Sequence, residues 1–400
     1  MKRRKTMKKV FALVLAAMMV MAMFAGCQPA DSGSTNASGN NDGNATAAIK
    51  IGTTGPLTGD AAAYGLAVEA GMKQAVAEIN AKGGVQFEYK AQDDEADGEK
   101  AVSAYNALKD WGMQILAGSV TSGAAAATAA EAVNDNMFVL TPSASAVEVA
   151  EAGSNVFQMC FTDPNQGASA AELMAQEWAD AKIGIIYDSS DAYSTGIYNG
   201  FVAKAKELSL DVVSENAFTK DTKADLSTQV TECQKAGATI VFMPFYYTEA
   251  SQAITYANKI GYEPTFFGCD GMDGILTVEG FDAALAEGLV LMTPFDPNAT
   301  DDATVAFVTE YKKQNNDLVP NQFAADGYDV IYAIYNAVTA AGLDGTASTA
   351  DLCTALTKWF NETEGFDGLT GKGMTWDESG MISKTPAAVV ITDGVYVPMG

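Results

Sequence analysis

The chain has 400 residues, of which 48% are hydrophobic and 18% charged, so it has a globular composition and enough length for two or three domains. Its formal net charge is −26, which argues against nucleic acid and anionic lipid as partners. It has no histidine, and no arginine after Arg4. Histidine is therefore missing as a zinc ligand and as the base of a nucleophilic triad, the cysteines are scattered, and the usual anion-binding guanidinium is absent from the rest of the chain.

The first 26 residues predict a secretory signal peptide, because the basic stretch MKRRKTMKK is followed by the apolar stretch VFALVLAAMMVMAMF. That apolar stretch is short for a membrane span. The sequence FAGC, which ends at Cys27, resembles a bacterial lipobox and implies cleavage before Cys27 and a lipid on its sulfur. Within residues 27–48, the stretch after Cys27 is rich in Gly, Ser and Asn and predicts a flexible linker. We therefore expect an extracytoplasmic domain that is lipid-anchored to the cell membrane.

From residue 49 onward, short apolar strands alternate with amphipathic helices. The first half predicts strands IKIGTT, FEYKA, QILAGS and MFVLTPS with helices between them, which is the pattern of a parallel, doubly wound sheet. The pattern restarts and predicts a second sheet with strands KIGIIYD, DVVSENAF, TIVFMPF, PTFFGC and GLVLMTPF. Two long helices follow, and the chain closes with a hairpin that turns at Asp393–Gly394. Two such lobes predict a ligand cleft beyond the carboxyl ends of the strands.

Hydroxyl side chains follow two successive strands of the first predicted sheet. Thr121 and Ser122 come after QILAGS, and Ser143 and Ser145 come after MFVL. Each pair alone is typical of a helix N-cap. Because the two strands end at the same edge of the sheet, the pairs together favour a second interpretation, in which both hold one carboxylate by charge-assisted hydrogen bonds.

An acid and several aromatic residues also follow predicted strands. Asp270 comes directly after PTFFGC, where a carboxylate needs a partner. A ligand ammonium or a lysine would serve, and a helix N-cap is the alternative. Tyr64, Tyr193 and Tyr246 follow strands in both halves of the chain, where aromatic side chains either cover the core or wall an apolar cleft.

The sequence offers little for a metal, a cofactor or a disulfide framework. Residues 93–99, DDEADGE, place acids at the first, third and fifth positions of a calcium loop, but the twelfth position is Ala104, so we interpret them as a solvated acidic loop. No phosphate-loop or dinucleotide motif is present, and we expect neither a metal nor a cofactor. Export permits disulfides, but no CxxC pair occurs. We favour four free, buried thiols: Cys160, Cys233, Cys269 and Cys353.

Seven segments in chain order carry a resemblance to a known family: IKIGTTGPLTGDAAAYG, EINAKGGV, AGSVTSGA, LTPSAS, FTDPNQG, FGCDG and LTGKGMTWDESG. Over residues 49–398 the chain resembles the substrate-binding proteins of branched-chain amino acid ABC transporters. The resemblance implies an α/β fold of the type I periplasmic binding protein class, in which two doubly wound parallel-sheet lobes are joined by a three-crossover hinge. It places residues 49–162 and 293–385 in lobe 1, and residues 163–292 and 386–400 in lobe 2.

The resemblance also implies which residues meet the ligand. The regions around Thr121 and Ser122 and around Ser143 would hold a carboxylate. Asp270 would hold an ammonium, with a carbonyl from Ser143 and a hydroxyl from Ser145. Some relatives have glutamate at the position of Asp270, so the reach to an ammonium is shorter here. The implied ligand-binding residues are Tyr64, Thr121, Ser122, Ser143, Ser145, Asp163, Tyr193, Tyr246, Asp270 and Phe323.

The main functional hypothesis is a lipid-anchored binding protein that captures a neutral, branched-chain or other aliphatic α-amino acid and delivers it to an ABC permease. We expect it to act as a monomer and not as an enzyme. Because members of the family also bind aromatic amino acids, amides and urea, a short amide or urea is the alternative ligand. Ligand sensing is the alternative to transport. An enzyme would need Cys160 or Cys269 as a nucleophile without a histidine base.

Overall fold

The computed structural model describes residues 47–399, and the predicted signal peptide, Cys27 and nearly all of the linker lie outside this range. The first part forms β1 (Ile49–Gly55), α1 (Ala62–Lys82), β2 (Phe87–Asp93), α2 (Gly98–Trp111), β3 (Ile115–Leu116), α3 (Ser122–Asn134), β4 (Phe138–Thr141), α4 (Val147–Ala150) and β5 (Val156–Gln158). The middle part forms α5 (Asp163–Glu177), β6 (Lys182–Asp188), α6 (Ala192–Glu207), β7 (Asp211–Phe218), α7 (Ser227–Ala236), β8 (Ile240–Met243), α8 (Tyr247–Lys259), β9 (Thr265–Gly268), three short 3₁₀ helices (Asp270–Met272, Ile275–Thr277 and Ala283–Ala286) and β10 (Val290–Thr293). The last part forms α9 (Asp302–Gln314), α10 (Gln322–Ala341), α11 (Thr349–Glu362), β11 (Ala387–Thr392) and β12 (Val395–Pro398).

Two sheets organise these elements. The first has the order β2-β1-β3-β4-β5, and its strands are all parallel. The second has the order β12-β11-β10-β9-β8-β6-β7, in which β6 to β10 are parallel and the terminal hairpin adds two antiparallel strands. The chain returns to the first sheet after β10, because α10 packs along α1 and α11 packs against β3 and β4. With the passages after β5 and before β11, the chain crosses three times, and the predicted fold class is confirmed.

The predicted elements agree with the observed ones where the apolar pattern is strong. β6 and β7 occupy the predicted residues, and the last turn lies at Asp393 and Gly394, whose φ angles of 51° and 74° suit a type I′ turn. β5, α5 and α11 were missed. β5 has only three residues, and the buried face of α5 has one large apolar side chain, Met174, beside polar and small residues such as Gln166 and Ala170. The buried Leu352, Leu356 and Phe360 of α11 do have helical spacing and could have predicted it.

Helices α1 and α10 approach each other closely at a glycine. A Cβ placed on Gly71 would lie 1.9 Å from the carbonyl oxygen of Ala324, so only glycine fits without moving the backbone of α10. Phe323, one of the predicted site residues, is the neighbour of Ala324 in α10. The packing at Gly71 therefore positions one wall of the predicted cleft.

Replacing Gly71 by alanine should lower the free energy of unfolding by about 1–3 kcal/mol, because the added methyl group forces α1 and α10 apart. Urea denaturation of the two proteins measures this difference. Gly123→Ala is the matched control, since Gly123 lies in α3 and a Cβ there meets no atom within 4 Å. This variant should be neutral or slightly stabilising. Equal losses in both variants would contradict the packing explanation.

The third crossover, just before β11, is held by a buried lysine. Lys384 is only 4% exposed, and its Nζ donates to Asp326 Oδ1 at 3.0 Å and to Thr370 Oγ1 at 2.6 Å. Its backbone oxygen accepts a hydrogen bond from Asn165 Nδ2 at 3.1 Å. Burial raises the pKa of Asp326 to about 7, with the ammonium of Lys384 opposing that rise. These contacts tie the crossover to α5, α10 and the loop around Thr370.

The four cysteines Cys160, Cys233, Cys269 and Cys353 are free and buried, as predicted. Among residues 47–399, no helix has both the length and the apolar character needed to cross a membrane. The same part of the chain contains no group of three or more Asp, Glu, Cys or His side chains that could hold a metal ion.

Candidate functional site

A small cavity lies where the carboxyl ends of the two sheets face each other. Its volume is ≈ 20 Å³, which is room for about one water molecule. Its lining comes from segments after β3, β4, β8 and β9 and from α1, α6 and α10: Tyr64, Val120, Thr121, Ser122, Ser143, Tyr193, Tyr246, Asp270, Gly271 and Phe323. Eight of the ten residues implied by the resemblance are in this lining. A ligand larger than water requires the two walls to separate.

The two hydroxyl clusters of the first sheet contact each other. Ser122 Oγ accepts hydrogen bonds from the backbone nitrogens of Ser145 and Ala146, both at 3.2 Å. Ser143 Oγ donates to the carbonyl oxygen of Val120 at 2.7 Å. The hydroxyl hydrogen of Ser122 therefore remains available to donate, whereas Ser143 Oγ can still accept.

The helix-cap alternative is wrong for these hydroxyls. Thr121 is the N-cap residue of α3, but its side chain makes no capping hydrogen bond. The N-cap residue of α4 is Ala146, so neither Ser143 nor Ser145 occupies that position. Within residues 47–399, the buried Thr121 Oγ1 has no hydrogen-bond partner at all. A buried hydroxyl without a partner, beside a polar cavity, indicates a place where a polar group can bind.

Asp270 faces the hydroxyls from the second sheet. It begins a 3₁₀ helix and is 4% exposed. Its Oδ1 accepts from Tyr193 Oη at 2.6 Å and from the Gly271 nitrogen at 2.8 Å, and its own nitrogen donates to Gln166 Oε1 at 3.1 Å. Burial raises the pKa of Asp270 to about 6, and the hydrogen bond from Tyr193 opposes the rise. Within the described chain, no lysine pairs with this carboxylate.

Aromatic rings form the apolar part of the lining. The ring centroid of Tyr64 lies 4.5 Å from that of Phe323 and 5.5 Å from that of Tyr246, and Tyr246 stacks on Tyr193 at 5.1 Å. Tyr64 Oη donates to the carbonyl oxygen of Gly271 and accepts from the nitrogen of Tyr247 at 3.4 Å. Tyr64 belongs to α1, whereas its hydrogen-bond partners Gly271 and Tyr247 follow strands of the second sheet. These contacts therefore join the two sides of the cleft.

Ser145 and Asp163 do not line the cavity, although they lie close to it. The Asp163 nitrogen donates to the Ser145 carbonyl oxygen at 3.0 Å, and both residues are fully buried. Within residues 47–399, Ser145 Oγ and both carboxylate oxygens of Asp163 lack a hydrogen-bond partner of ordinary geometry. Burial raises the pKa of Asp163 well above its usual value, and the nearby Ser145 hydroxyl lowers it in part.

Sequence reasoning missed three supporting residues. Gln166 accepts from the Asp270 nitrogen, and Gln322 Nε2 donates to the Asp270 carbonyl oxygen at 3.3 Å. Gly271 supplies a lining surface and a hydrogen-bond donor to Asp270. Gln166 lies in FTDPNQG and Gly271 in FGCDG, two of the segments that carry the resemblance, so both could have been singled out. Gln322 carries no local signal, because its partner is 52 residues away.

Two doubly wound sheets with one cleft and three crossovers define the type I periplasmic binding protein class. Residues 48–394 match the family described as periplasmic binding protein, and the chain belongs to this family. A Leu/Ile/Val-binding protein homolog of Brucella melitensis is 27% identical over 343 residues, which cover 85% of this chain and 90% of that protein. A Leu/Ile/Val-binding protein of Rhizobium johnstonii is 30% identical over 267 residues, 66% of this chain and 72% of its own length.

A solved structure extends the comparison. It is a branched-chain amino acid transporter substrate binding protein from Streptococcus pneumoniae in complex with isoleucine. The two structures match with a TM-score of 0.77 at 27% sequence identity. The match covers 88% of this chain and 100% of the Streptococcus pneumoniae chain. The predicted resemblance to the substrate-binding proteins of branched-chain amino acid ABC transporters is therefore confirmed.

Proposed function

We propose that the protein is a lipid-anchored, extracytoplasmic binding protein that captures a neutral, aliphatic α-amino acid and delivers it to an ABC permease. The observation that carries the proposal is the position of Asp270, whose carboxylate faces the hydroxyls of Thr121, Ser122 and Ser143 across one aromatic-walled cavity. An α-amino acid carries an ammonium and a carboxylate on the same carbon, and these two groups match the two sides of the cavity. The relatives named as Leu/Ile/Val-binding proteins support the aliphatic class.

The hydrogen bonds already made in the cleft support an assignment of each group to one end of the ligand. Thr121 and Ser122 have hydroxyl hydrogens to donate, so they suit the ligand carboxylate. Ser143 Oγ has committed its hydrogen to Val120, so it suits the ammonium as an acceptor beside Asp270. The α3 N-terminus adds backbone N–H groups and a partial positive charge on the carboxylate side. A carboxylate can thus be held without a guanidinium.

The aromatic rings suit an apolar side chain rather than a second charge. The hydroxyls of Tyr64 and Tyr193 donate to Gly271 and Asp270, and the rings of Tyr64, Tyr193 and Tyr246 all contribute to the cavity lining. Burial of a Leu, Ile or Val side chain against such rings contributes about 1.5–3 kcal/mol. Asp270 is the only ionisable carboxylate in the lining of this described cavity, so one ligand ammonium balances it.

Isothermal titration calorimetry of the mature domain tests the proposal. The panel contains L-leucine, L-isoleucine, L-valine, L-alanine and L-phenylalanine, together with acetamide and urea as the alternative ligands. We expect binding to the aliphatic amino acids and none to the two amides, because an amide leaves the charge of Asp270 unbalanced. Binding of acetamide or urea alone would favour the alternative, and no binding to any amino acid would exclude the proposal. No turnover of these compounds is expected.

Affinity for L-leucine should fall as the pH drops. Asp270 must be ionised to pair with an ammonium, and its pKa in the ligand-free protein is raised to about 6. The affinity should therefore be constant above pH 7 and fall by about tenfold between pH 7.5 and pH 5, since a bound proton competes with the ligand. Calorimetry over this range gives the profile. A constant affinity over this pH range would show that binding of the ligand ammonium does not depend on the charge of Asp270.

A further inference from the structure

A charged bridge joins the two sides of the cleft at a distance from the cavity. Lys223 Nζ lies 3.0 Å from Asp60 Oδ2 and 2.7 Å from Glu249 Oε1. Asp60 follows β1 of the first sheet, whereas Lys223 follows β7 and Glu249 lies in α8, both on the second sheet. None of these three residues lines the cavity. We refer to Asp60, Lys223 and Glu249 as the closure bridge.

Neutral hydrogen bonds reinforce the closure bridge along the same contact. Thr248 Oγ1 donates to the Asp60 carbonyl oxygen at 2.8 Å, and the Ala63 nitrogen donates to Tyr247 Oη at 3.2 Å. The segment between β1 and α1 is thereby bound to the first turn of α8 at several points. These bonds connect protein to protein directly, so none of them requires a ligand in the cavity.

We propose that Asp60 and Lys223 are positioning residues that set ligand affinity by holding the cleft closed, although neither touches the ligand. When the walls separate, Lys223 and Glu249 stay together on one side, and Asp60 leaves with the other. The bond from Asp60 to Lys223 is therefore made only in the closed form. A contact made only in the closed form raises the closed population, and the apparent affinity rises with that population.

The size of the effect follows from the exposure of the bridge. Asp60 is 66% exposed and Lys223 is 36% exposed, and exposed ion pairs contribute little. Loss of the Asp60 carboxylate should therefore weaken binding by about two- to fivefold. Because a bound ligand can leave only when the cleft opens, the loss should appear mainly as faster dissociation.

Asp60→Asn is the informative variant, since it leaves Lys223 paired with the nearly buried Glu249 and keeps the backbone oxygen that Thr248 binds. Glu232→Gln is the matched control. It removes one exposed carboxylate from a lysine pair in the same way, but both members of that pair, Glu232 and Lys235, lie within α7. Both variants change the net charge equally. A difference in behaviour between them therefore reflects the lost contact between the two sides of the cleft.

The first measurement needs no ligand. Spin labels on introduced cysteines at Lys73 in α1 and Asn258 in α8, both exposed, report the distance between the two sides by double electron–electron resonance. The native cysteines are buried, so labelling is confined to the introduced ones. In the ligand-free protein, Asp60→Asn should shift the distribution toward longer distances. Glu232→Gln should leave it unchanged.

The second measurement is stopped-flow binding of L-leucine, and only this choice of probe rests on the proposed function. Asp60→Asn should raise the dissociation rate constant about two- to fivefold, whereas Glu232→Gln should leave it unchanged. Unchanged spin-label distances in Asp60→Asn would overturn the inference, whatever leucine does. Failure of the unmodified protein to bind leucine would count against the proposed function alone, because the spin-label result still decides the closure bridge.

Discussion

Asp270→Asn is expected to weaken the binding of L-leucine by about 2–5 kcal/mol at pH 7.5, measured by calorimetry. The substitution keeps the shape of the side chain and an oxygen that can accept from Tyr193 and Gly271. It removes the charge that we assign to the ligand ammonium. The ammonium would then be desolvated in a buried site without a counter-charge, and this cost appears directly as lost affinity.

Asp273→Asn is the matched control for this variant. Asp273 is as buried as Asp270, burial likewise raises its pKa to about 6, and it accepts from the Gln322 nitrogen and from Tyr396 Oη. It does not line the cavity, so its replacement should leave the affinity close to that of the unmodified protein. Unchanged affinity in Asp270→Asn, or an equal loss in both variants, would remove Asp270 from the binding site.

The Asp270→Asn variant also separates an effect on ligand binding from an effect on folding stability. A carboxyl whose pKa is higher in the folded than in the unfolded protein destabilises the fold at pH values above both pKa values, and the stability increases as the pH falls through the folded pKa. The folded pKa of Asp270 is about 6 against a usual value of 3.8. Asp270→Asn should therefore unfold at the same or a higher temperature at pH 7.5, despite its weak binding.

Lys384→Met should lower the free energy of unfolding by about 3–5 kcal/mol at pH 8, measured by urea denaturation. The side chains of Lys384 and Asp326 are only 2% and 3% exposed, so removal of the ammonium leaves a buried carboxylate without its counter-ion and Thr370 Oγ1 without its donor. The cost should be smaller at pH 6. The pKa of Asp326 is already raised to about 7, loss of Lys384 raises it further, and protonation then relieves the unpaired charge as the pH falls.

Two further variants make this result specific. Lys358→Met is the matched control, because its pair with Glu362 is exposed and the nitrogen-to-oxygen distance is 3.9 Å. The change in its free energy of unfolding should be within about 0.5 kcal/mol. Asp326→Asn combined with Lys384→Met should recover part of the lost stability. Equal losses in Lys384→Met and Lys358→Met would contradict the importance of the buried pair.

The sequence located most of the site because strand ends carry local signals. A run such as KIGIIYD or PTFFG is recognisable as a buried strand, and in a doubly wound fold the next residues lie at the ligand edge. Thr121, Ser143 and Asp270 were found in this way. Phe323 came only from the resemblance, because it lies near the start of α10 and reaches the cavity through the packing of α10 on α1. The role of each residue toward a ligand stays a prediction.

Hydrogen-bond direction could not be predicted from the sequence. A serine can donate or accept, and the choice depends on neighbours that packing brings close, such as Val120 for Ser143 and Ala146 for Ser122. Thr121 does occupy the N-cap position of α3, but its side chain makes no capping hydrogen bond. Local propensity favours a capping bond at that position, but Thr121 lines the cavity and its hydroxyl has no partner among residues 47–399.

The sequence by itself determined the kind and order of the strong elements and the lack of any arginine or histidine in the folded part. It therefore predicted that an anion would be held by hydroxyls and backbone groups. Only the tertiary structure decided that Asp270 faces those hydroxyls, that Lys384 is buried, and that Asp60 meets Lys223. Each such contact joins residues that are distant in sequence; 163 positions separate Asp60 from Lys223. Contacts of this kind depend on how two sheets pack, and no local pattern of polarity encodes that packing.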